Sequence, residues 1–184
     1  WVYDLLLSVD ITFWTPGAEF TVFHHPKFDF ATPICFEDVF PGVVRRFARD
    51  GMDVIVNITN DYWSLQEQAA QKHMAAALFR TVELGMPMVR STASGVTSHI
   101  DARGRLLATV PQYSEQFLIA DVTIPAETAP KTLYYRWGDW FPPVALGTLV
   151  ALLVAGWVAG GRAHRPRGTR HDTATHKNWR SDEY

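Results

Sequence analysis

The chain has 184 residues, of which 47% are hydrophobic and 20% charged, and its formal net charge is −2. This globular composition leaves room for one domain and an appendage, and the near-neutral charge excludes a strong overall field that would draw the protein to nucleic acid. Cys35 is the single cysteine, which excludes an intrachain disulfide, and no Cys/His spacing indicates a zinc site. No metal or cofactor is expected.

The first half of the chain predicts two buried strands and a short helix. The run from Phe28 to Cys35 is apolar and β-prone, and Val54 to Ile58 is nearly all apolar, as expected for a strand covered on both faces. Between them, Val43 to Asp50 carries its apolar residues on one side and is ended by Gly51. A polar and aromatic loop follows at residues 59–64.

The second half predicts a long helix and a group of strands. Strong helix formers from Glu67 to Leu84 precede Gly85, and Met74, Leu78 and Val82 form one apolar stripe. Four further strands are predicted at Met88–Thr92, Val96–Ile100, Leu106–Val110 and Phe117–Val122. The middle two form a hairpin through a turn at residues 101–104. This succession of strands and helices predicts an α/β layered domain.

An uncharged run from Trp140 to Gly161 predicts a transmembrane helix. Its 22 residues would rise about 33 Å, which matches the hydrocarbon core of a bilayer. The tail beyond it, residues 162–184, is rich in arginine, whereas the charges before the span are balanced. The positive-inside bias therefore predicts a cytoplasmic tail, with the α/β domain on the opposite side of the membrane. The tail itself is too polar to predict a packed structure.

Cys35 lies where an apolar strand gives way to acidic residues, in Thr32-Pro-Ile-Cys-Phe-Glu-Asp38. A lone cysteine is most often a small buried hydrophobe. A turn after a strand, however, exposes a side chain beside backbone N–H groups that can form an oxyanion hole. Position alone leaves the structural and the catalytic alternatives open.

Several short motifs follow one another along the chain. They are Ile34-Cys-Phe-Glu-Asp-Val-Phe-Pro41, Val56-Asn-Ile-Thr-Asn-Asp-Tyr-Trp63, His73, Phe79-Arg80, Glu83, Arg90-Ser-Thr92, Ser94-Gly-Val-Thr97, Ile100-Asp-Ala-Arg-Gly104, Tyr134-Tyr-Arg136 and Gly138-Asp-Trp140. In this order, and followed by a membrane span, they resemble the nitrilase superfamily and, more closely, the apolipoprotein N-acyltransferases. The resemblance implies a partial nitrilase-like αββα sandwich in residues 1–139, a transmembrane helix in residues 140–161 and a basic cytoplasmic tail. Because the chain begins at Trp1 in what reads as the middle of a domain, we expect it to be the C-terminal part of a longer protein.

The resemblance also implies an activity. Cys35 would take a fatty acyl chain from a membrane phospholipid as a thioester and pass it to the N-terminal amine of a diacylglyceryl-modified apolipoprotein. The protein would be a multi-pass enzyme of the bacterial inner membrane with a periplasmic catalytic domain. The family uses a Glu-Lys-Cys triad, of which only Cys35 has a match here; the Glu and the Lys lie upstream in the family. The 184-residue stretch alone is therefore expected to be inactive.

Besides Cys35, three residues are candidate supporting or substrate-binding residues: Phe36, Glu37 and Trp63. Phe36 stands where the commonest family pattern has Tyr, which removes a hydroxyl but keeps the backbone N–H that would help to hold an oxyanion. Glu37 either supports the site or is a helix-start carboxylate favoured by the helix dipole. Trp63 either lines a pocket for the acyl chain or head group or packs under its loop.

Other motif residues carry structural expectations. Asn60 and Asp61 are expected to hold their loop by hydrogen bonds to the backbone. Arg80 and Glu83 form either a surface pair or a buried pair near the site. His73 is expected to be structural, since a Glu-Lys-Cys site needs no histidine.

Two alternatives to the acyltransferase stay open at this point. One is a nitrilase-like amidase acting on a small amide, which would not need the fused membrane helix. The other is an inactive truncated remnant, which the missing Glu and Lys favour.

Overall fold

A computed structural model describes residues 17–163, and its centre is a six-stranded mixed sheet. The strands, in chain order, are β1 (Val22–His25), β2 (Phe28–Ala31), β3 (Val54–Thr59), β4 (Met88–Thr92), β5 (Ser98–Ile100) and β6 (Leu106–Thr109). Their order in the sheet is the same as their order in the chain. The three strands β2, β3 and β4 are parallel, and the remaining pairs are antiparallel. The carboxyl ends of β2 and β3 therefore lie at one edge of the sheet.

The helices are α1 (Pro41–Arg49), α2 (Glu67–Leu84), α3 (Leu133–Trp137) and α4 (Phe141–Ala163), with short 3₁₀ turns at Cys35–Val39 and Tyr62–Ser64. Two of these helices, α1 and α2, connect the parallel strands, as crossover connections require. The predicted bounds of α2 are confirmed at both ends. Gly85 closes that helix with a φ of 69° and donates its N–H to the Thr81 carbonyl over 2.8 Å, because glycine adopts this left-handed conformation without steric cost.

The hydrophobic core lies between one face of the sheet and the helices α1 and α2. Ile55, Met88 and Ile100 are register partners across three strands and share that face. The buried core residues are Ala31, Val44, Phe47, Ala48, Met52, Ile55, Ala77, Leu84, Met86, Met88 and Ile100. The α/β architecture predicted from the alternation of elements is confirmed.

The predicted apolar stripe of α2 is wrong in one position. Met74 and Leu78 pack against the core, but Val82 is 48% exposed. The fully buried face of the helix also carries the polar residues His73 and Arg80. A stripe drawn through apolar residues alone therefore misses the direction in which this helix faces the sheet.

The hairpin of β5 and β6 is confirmed, but the last predicted strand is not. Residues 117–122 form no strand, although every second side chain in this segment is partly buried. Ala120 lines a cavity together with Val56 and Val89, two central residues of the sheet. The segment thus lies over a sheet face, where no strand edge offers backbone hydrogen bonds. Strand β1 was not predicted.

The helix α4 forms a second unit, starting at Phe141. Residues Phe141–Gly160 are long and apolar enough to cross a membrane, and they are exposed along the whole length. The expectation for residues 162–184 lies beyond the part of the chain that the structure describes, apart from the end of this helix.

Candidate active site

Cys35 opens the 3₁₀ turn that follows β2. Ile34 forms an isolated parallel bridge with Ile58 of β3, and the next residue, Cys35, has a φ of +53°. A non-glycine residue in this left-handed region is uncommon and costs roughly 1–2 kcal/mol. The conformation ends the strand and turns the chain at Cys35, whose thiol is free and partly exposed. The placement is that expected of a nucleophile on a strand-to-turn junction.

The turn is tied to the neighbouring strand by an amide. The Asn57 side chain is buried in β3, and its Nδ2 donates to the carbonyl oxygens of Pro33 over 3.0 Å and Cys35 over 3.3 Å. These carbonyls belong to the residues on either side of Ile34, beyond the end of β2. The amide therefore adds to the single bridge of Ile34 and fixes the position of the Cys35 backbone.

Of the three candidate supporting residues, Phe36 and Glu37 are exposed on the Cys35 turn, and Trp63 is exposed on the loop after β3. Glu37 is exposed, and its carboxylate accepts a 2.7 Å hydrogen bond from the Ile34 N–H, which is the arrangement of a helix-start carboxylate. The Phe36 ring lies 6.2 Å from the Trp63 ring. Trp63 is 66% exposed, so within the described residues it is not packed under its loop. A substrate-binding role for these residues stays a prediction.

Exposed apolar side chains flank Cys35 in the turn. The large side chains on either side of Cys35, Ile34 and Phe36, are 59% and 44% exposed, and Trp63 extends the same surface. Exposed aromatic and aliphatic groups clustered at one place mark an interaction site more often than scattered ones do. The surface beside the thiol is suited to hydrocarbon.

A buried ionic network lies on the inner side of the turn. The His73 ring donates or accepts at both nitrogens: Nε2 lies 2.8 Å from Asp38 Oδ1, and Nδ1 lies 2.7 Å from Asp61 Oδ1. Arg90 of β4 adds a contact of 3.3 Å from Nε to Asp38 Oδ2. Asp38 belongs to the 3₁₀ turn of Cys35, so the network joins the turn to α2 and to the sheet.

The expectation that Asn60 and Asp61 both hold their loop by hydrogen bonds to the backbone is correct for Asn60 and wrong for Asp61. The Asn60 carboxamide does hold its loop, because Oδ1 accepts from the Tyr62 N–H over 3.0 Å. Asp61, in contrast, is buried and pairs with His73. Gly95 makes room for it, since a Cβ at position 95 would lie 2.2 Å from Asp61 Oδ2.

Sequence reasoning missed this network because its members are distant in the chain and each is a common surface residue type. The signal available was the coincidence of Asp38, Asp61, His73 and Arg90 with the motifs that carry the family resemblance. His73 is structural in its contacts, as expected. Asp38 and Arg90 had been assigned no role.

A second tie holds the far end of the turn. Arg80 is nearly buried; its Nη1 donates to the Val39 carbonyl over 2.6 Å, and its Nη2 to Glu83 Oε1 over 2.7 Å. Arg80 is buried and Glu83 is half-buried, so the pair is closer to the buried alternative than to an exposed surface pair. Burial raises the pKa of Glu83, Arg80 opposes that rise, and the charge of Asp139 adds to it.

The described residues offer no metal centre. Among residues 17–163, no group of three or more His, Cys, Asp or Glu side chains could hold a metal ion. The chemistry available at the site is that of a thiol on a strained turn, backed by fixed ion pairs.

The carbon-nitrogen hydrolase family model matches residues 3–129. The chain belongs to this family.

Two similar proteins are apolipoprotein N-acyltransferases of Treponema species. The chain is 37% identical over 151 residues to apolipoprotein N-acyltransferase 1 of Treponema denticola, covering 82% of this chain and 27% of that protein. It is 36% identical over 173 residues to apolipoprotein N-acyltransferase 1 of Treponema pallidum, covering 92% of this chain and 30% of that protein. The chain thus spans less than a third of the length of either relative.

A solved carbon-nitrogen hydrolase from Helicobacter pylori G27 aligns with a TM-score of 0.47 at 15% identity, over 53% of this chain and 41% of that one. The family assignment rests on the sequence match and not on this superposition.

Proposed function

We propose that the complete protein containing this chain is an apolipoprotein N-acyltransferase that uses Cys35 as its nucleophile. The observation that carries the proposal is the placement of a free, partly exposed thiol on a positive-φ turn at the carboxyl edge of the parallel strands. The names of the relatives supply the acceptor class, an apolipoprotein that is acylated on nitrogen, and the acyl donor that we propose is a membrane phospholipid. The apolar surface beside Cys35 and the apolar helix α4 both favour lipid substrates over a small amide.

The reaction has two balanced steps. A general base takes the thiol proton, Sγ bonds to the carbonyl carbon of a phospholipid ester, and the bond from that carbon to the glycerol oxygen breaks. The glycerol oxygen takes the proton and leaves as a lysophospholipid. The α-amine of a diacylglyceryl-cysteine then attacks the thioester carbon; the C–S bond breaks, and the amine proton passes to the base. A thiol near pKa 8.5 is only a few per cent ionised at pH 7, so the base is needed in the first step.

The membrane placement belongs to the same proposal. The helix α4 anchors the domain at the bilayer surface, where both lipids reside. Arginines follow the span at positions 162, 165, 167, 170 and 180, which favours a cytoplasmic C-terminus and a periplasmic catalytic domain. A reporter protein that works only in the cytoplasm is expected to be active when it is fused after Tyr184. Activity of a reporter that works only after export would contradict this orientation.

The decisive experiment is detection of the acyl-enzyme. We expect the complete protein, incubated in mild detergent with a phospholipid of defined acyl chains, to gain the mass of one acyl group at Cys35. The adduct should be released by neutral hydroxylamine, as a thioester is, and by a diacylglyceryl-cysteine peptide that becomes N-acylated. Cys35→Ala should abolish the adduct.

The control is the same protein with Cys35→Ser, which keeps the turn but presents a weaker nucleophile. It should fold like the wild type and form the adduct far more slowly. Acyl labelling that survives Cys35→Ala would remove the cysteine from its role. Hydrolysis of small amides without any acyl transfer would favour an amidase.

A further inference from the structure

The buried network beneath the Cys35 turn has a protonation state fixed by its geometry. Both ring nitrogens of His73 face carboxylate oxygens, at 2.8 Å from Asp38 and 2.7 Å from Asp61. An ionised carboxylate only accepts hydrogen bonds, so both nitrogens must carry protons. The ring is therefore held as an imidazolium.

With both carboxylates ionised, the charges of the cluster balance only when His73 is an imidazolium. Arg90 lies 3.3 Å from Asp38 and 3.8 Å from Asp61, and none of the four side chains is more than 3% exposed. Two carboxylates then face two cations. Loss of the imidazolium charge would leave one buried carboxylate uncompensated, which is strongly unfavourable among side chains that are almost fully buried.

The titration of His73 follows from the same contacts. Burial of the ring lowers its pKa, but the hydrogen bonds to Asp38 and Asp61 outweigh burial, so the pKa of His73 is raised above 6.5 although Arg90 opposes the rise. The charged groups that face the ring are Asp38 from the turn, Asp61 from the loop after β3, and Arg90 from β4. Because the pKa is raised on folding, the stabilisation is complete below the unfolded value and is lost as the pH rises through the folded value.

The network is connected to the nucleophile through the turn that carries Cys35. Asp38 is three residues after Cys35 in the same 3₁₀ turn, and the Phe36 ring stacks on the His73 ring with centroids 4.5 Å apart. We propose that His73 is a positioning residue, which acts as an imidazolium clamped between Asp38 and Asp61 to hold the Cys35 turn in its reactive conformation. The inference rests on the proposed function, since acyl loading of Cys35 is the activity that it serves.

The test is the pH dependence of acyl loading in the complete protein with a synthetic phosphatidylethanolamine as donor. We expect the acylation rate constant of the wild type to fall as the pH rises through the raised pKa of His73. His73→Gln, which cannot carry the charge, should lower this constant about 100-fold, the scale of a reactive group displaced by about 1 Å, while the KM for the phospholipid stays within about twofold. The descending arm of the pH profile, which is the fall of the rate constant at high pH, should be absent in His73→Gln.

Two further variants keep the test decisive if His73→Gln folds poorly. Asp61→Asn removes one carboxylate charge and should move the descending arm to lower pH by about one unit. Adding Asp61→Asn to His73→Gln restores charge balance between Asp38 and Arg90, and should recover at least about tenfold of the lost rate. His25→Gln, at an exposed histidine of β1, is the matched control and should leave the profile unchanged.

The outcomes separate this inference from the proposed function. An Asp61→Asn profile that coincides with that of the wild type, or a His73→Gln enzyme with wild-type rate and profile, would overturn the positioning role. If the wild type takes no acyl group from any phospholipid, the proposed function fails. The rate of Cys35 alkylation by iodoacetamide then decides about His73 alone: a fall of about tenfold in His73→Gln that the double variant reverses supports the positioning role, and an unchanged rate refutes it.

Discussion

Replacement of Arg80 by methionine is the sharpest test of how the Cys35 turn is held. Arg80 reaches from α2 to two partners, the Val39 carbonyl at the end of the turn and the Glu83 carboxylate. Methionine keeps most of the apolar volume of the stem and removes the guanidinium. The side chain of Glu83, only 25% exposed, then remains in place without its cation.

The magnitude follows from what is left unpaired. Removal of one member of a buried ion pair costs about 3–5 kcal/mol, because the other charge stays buried. The Val39 carbonyl also loses its donor, which by itself costs about 1–3 kcal/mol. We therefore expect Arg80→Met to lower the free energy of unfolding at pH 7 by at least about 3 kcal/mol, measured by denaturant titration of the complete protein in mild detergent.

The loss should depend on pH with a definite sign. Burial already raises the pKa of Glu83, while Arg80 restrains the rise and Asp139 adds to it. A carboxyl group whose pKa is raised on folding destabilises the protein as the pH rises from the unfolded towards the folded value. Each pKa unit that the loss of Arg80 adds is worth about 1.4 kcal/mol. Arg80→Met should thus cost more at pH 7 than at pH 4.5.

The controls distinguish a buried pair from ordinary surface charge. When Arg80→Met is combined with Glu83→Gln, the stability loss should become nearly the same at the two pH values. The part of the loss that comes from the unpaired Val39 carbonyl should remain. Arg46→Met removes the exposed pair of Arg46 with Asp50, whose side chains are 63% and 41% exposed, and should change stability by less than about 1 kcal/mol. Equal losses in Arg46→Met and Arg80→Met, or a loss in Arg80→Met that does not vary with pH, would refute the reasoning.

Two glycine substitutions test close contacts elsewhere. Gly95→Ala should lower the free energy of unfolding by about 1–3 kcal/mol, because its Cβ would displace the Asp61 carboxylate; a melting temperature equal to that of the wild type would contradict the contact. Gly104→Ala should destabilise by a similar amount, since Gly104 has a φ of +78° and its Cβ would lie 2.5 Å from Val82. Gly42→Ala, with open space around its Cβ, is the matched control for both and should be neutral or slightly stabilising.

The parts of the fold that were predictable are those governed by local rules. The start and end of α2 follow from helix formers and from Gly85, and the hairpin follows from Asp101, whose carboxylate accepts from the backbone N–H groups of Arg103 and Arg105. Residues 117–122 show the limit of such rules. Their period-two burial is that of a strand, but whether a segment pairs at a sheet edge or lies over a sheet face depends on which edges are free, and a single segment does not encode this.

The candidate site divides in the same way. The position of Cys35 was predictable because a turn after a strand is a local feature with a motif around it, and its role as the nucleophile stays a proposal. The network of His73 was not, because a buried carboxylate is distinguished from an exposed one only by partners brought from other elements, here 35 residues away for Asp38. The same reason accounts for Asp61, whose residue type indicated a loop bond to the backbone.

The contacts of the turn explain why polar residues are buried beneath it at all. Apolar packing cannot hold the outer side of the turn, because Ile34 and Phe36 are exposed and, under the proposed function, must stay free to meet lipid. The left-handed conformation at Cys35 also disfavours the native turn by roughly 1–2 kcal/mol. The inner side must then supply directional contacts, and the amide of Asn57, the imidazolium of His73 and the guanidinium of Arg80 provide them at the start, middle and end of the turn.

It follows that substitutions at these three residues should reduce acyl loading of Cys35 more than a core substitution of equal cost in stability, such as Ile55→Ala. If acyl loading instead tracks stability alone across both groups, the turn is held by the fold as a whole and not by these contacts.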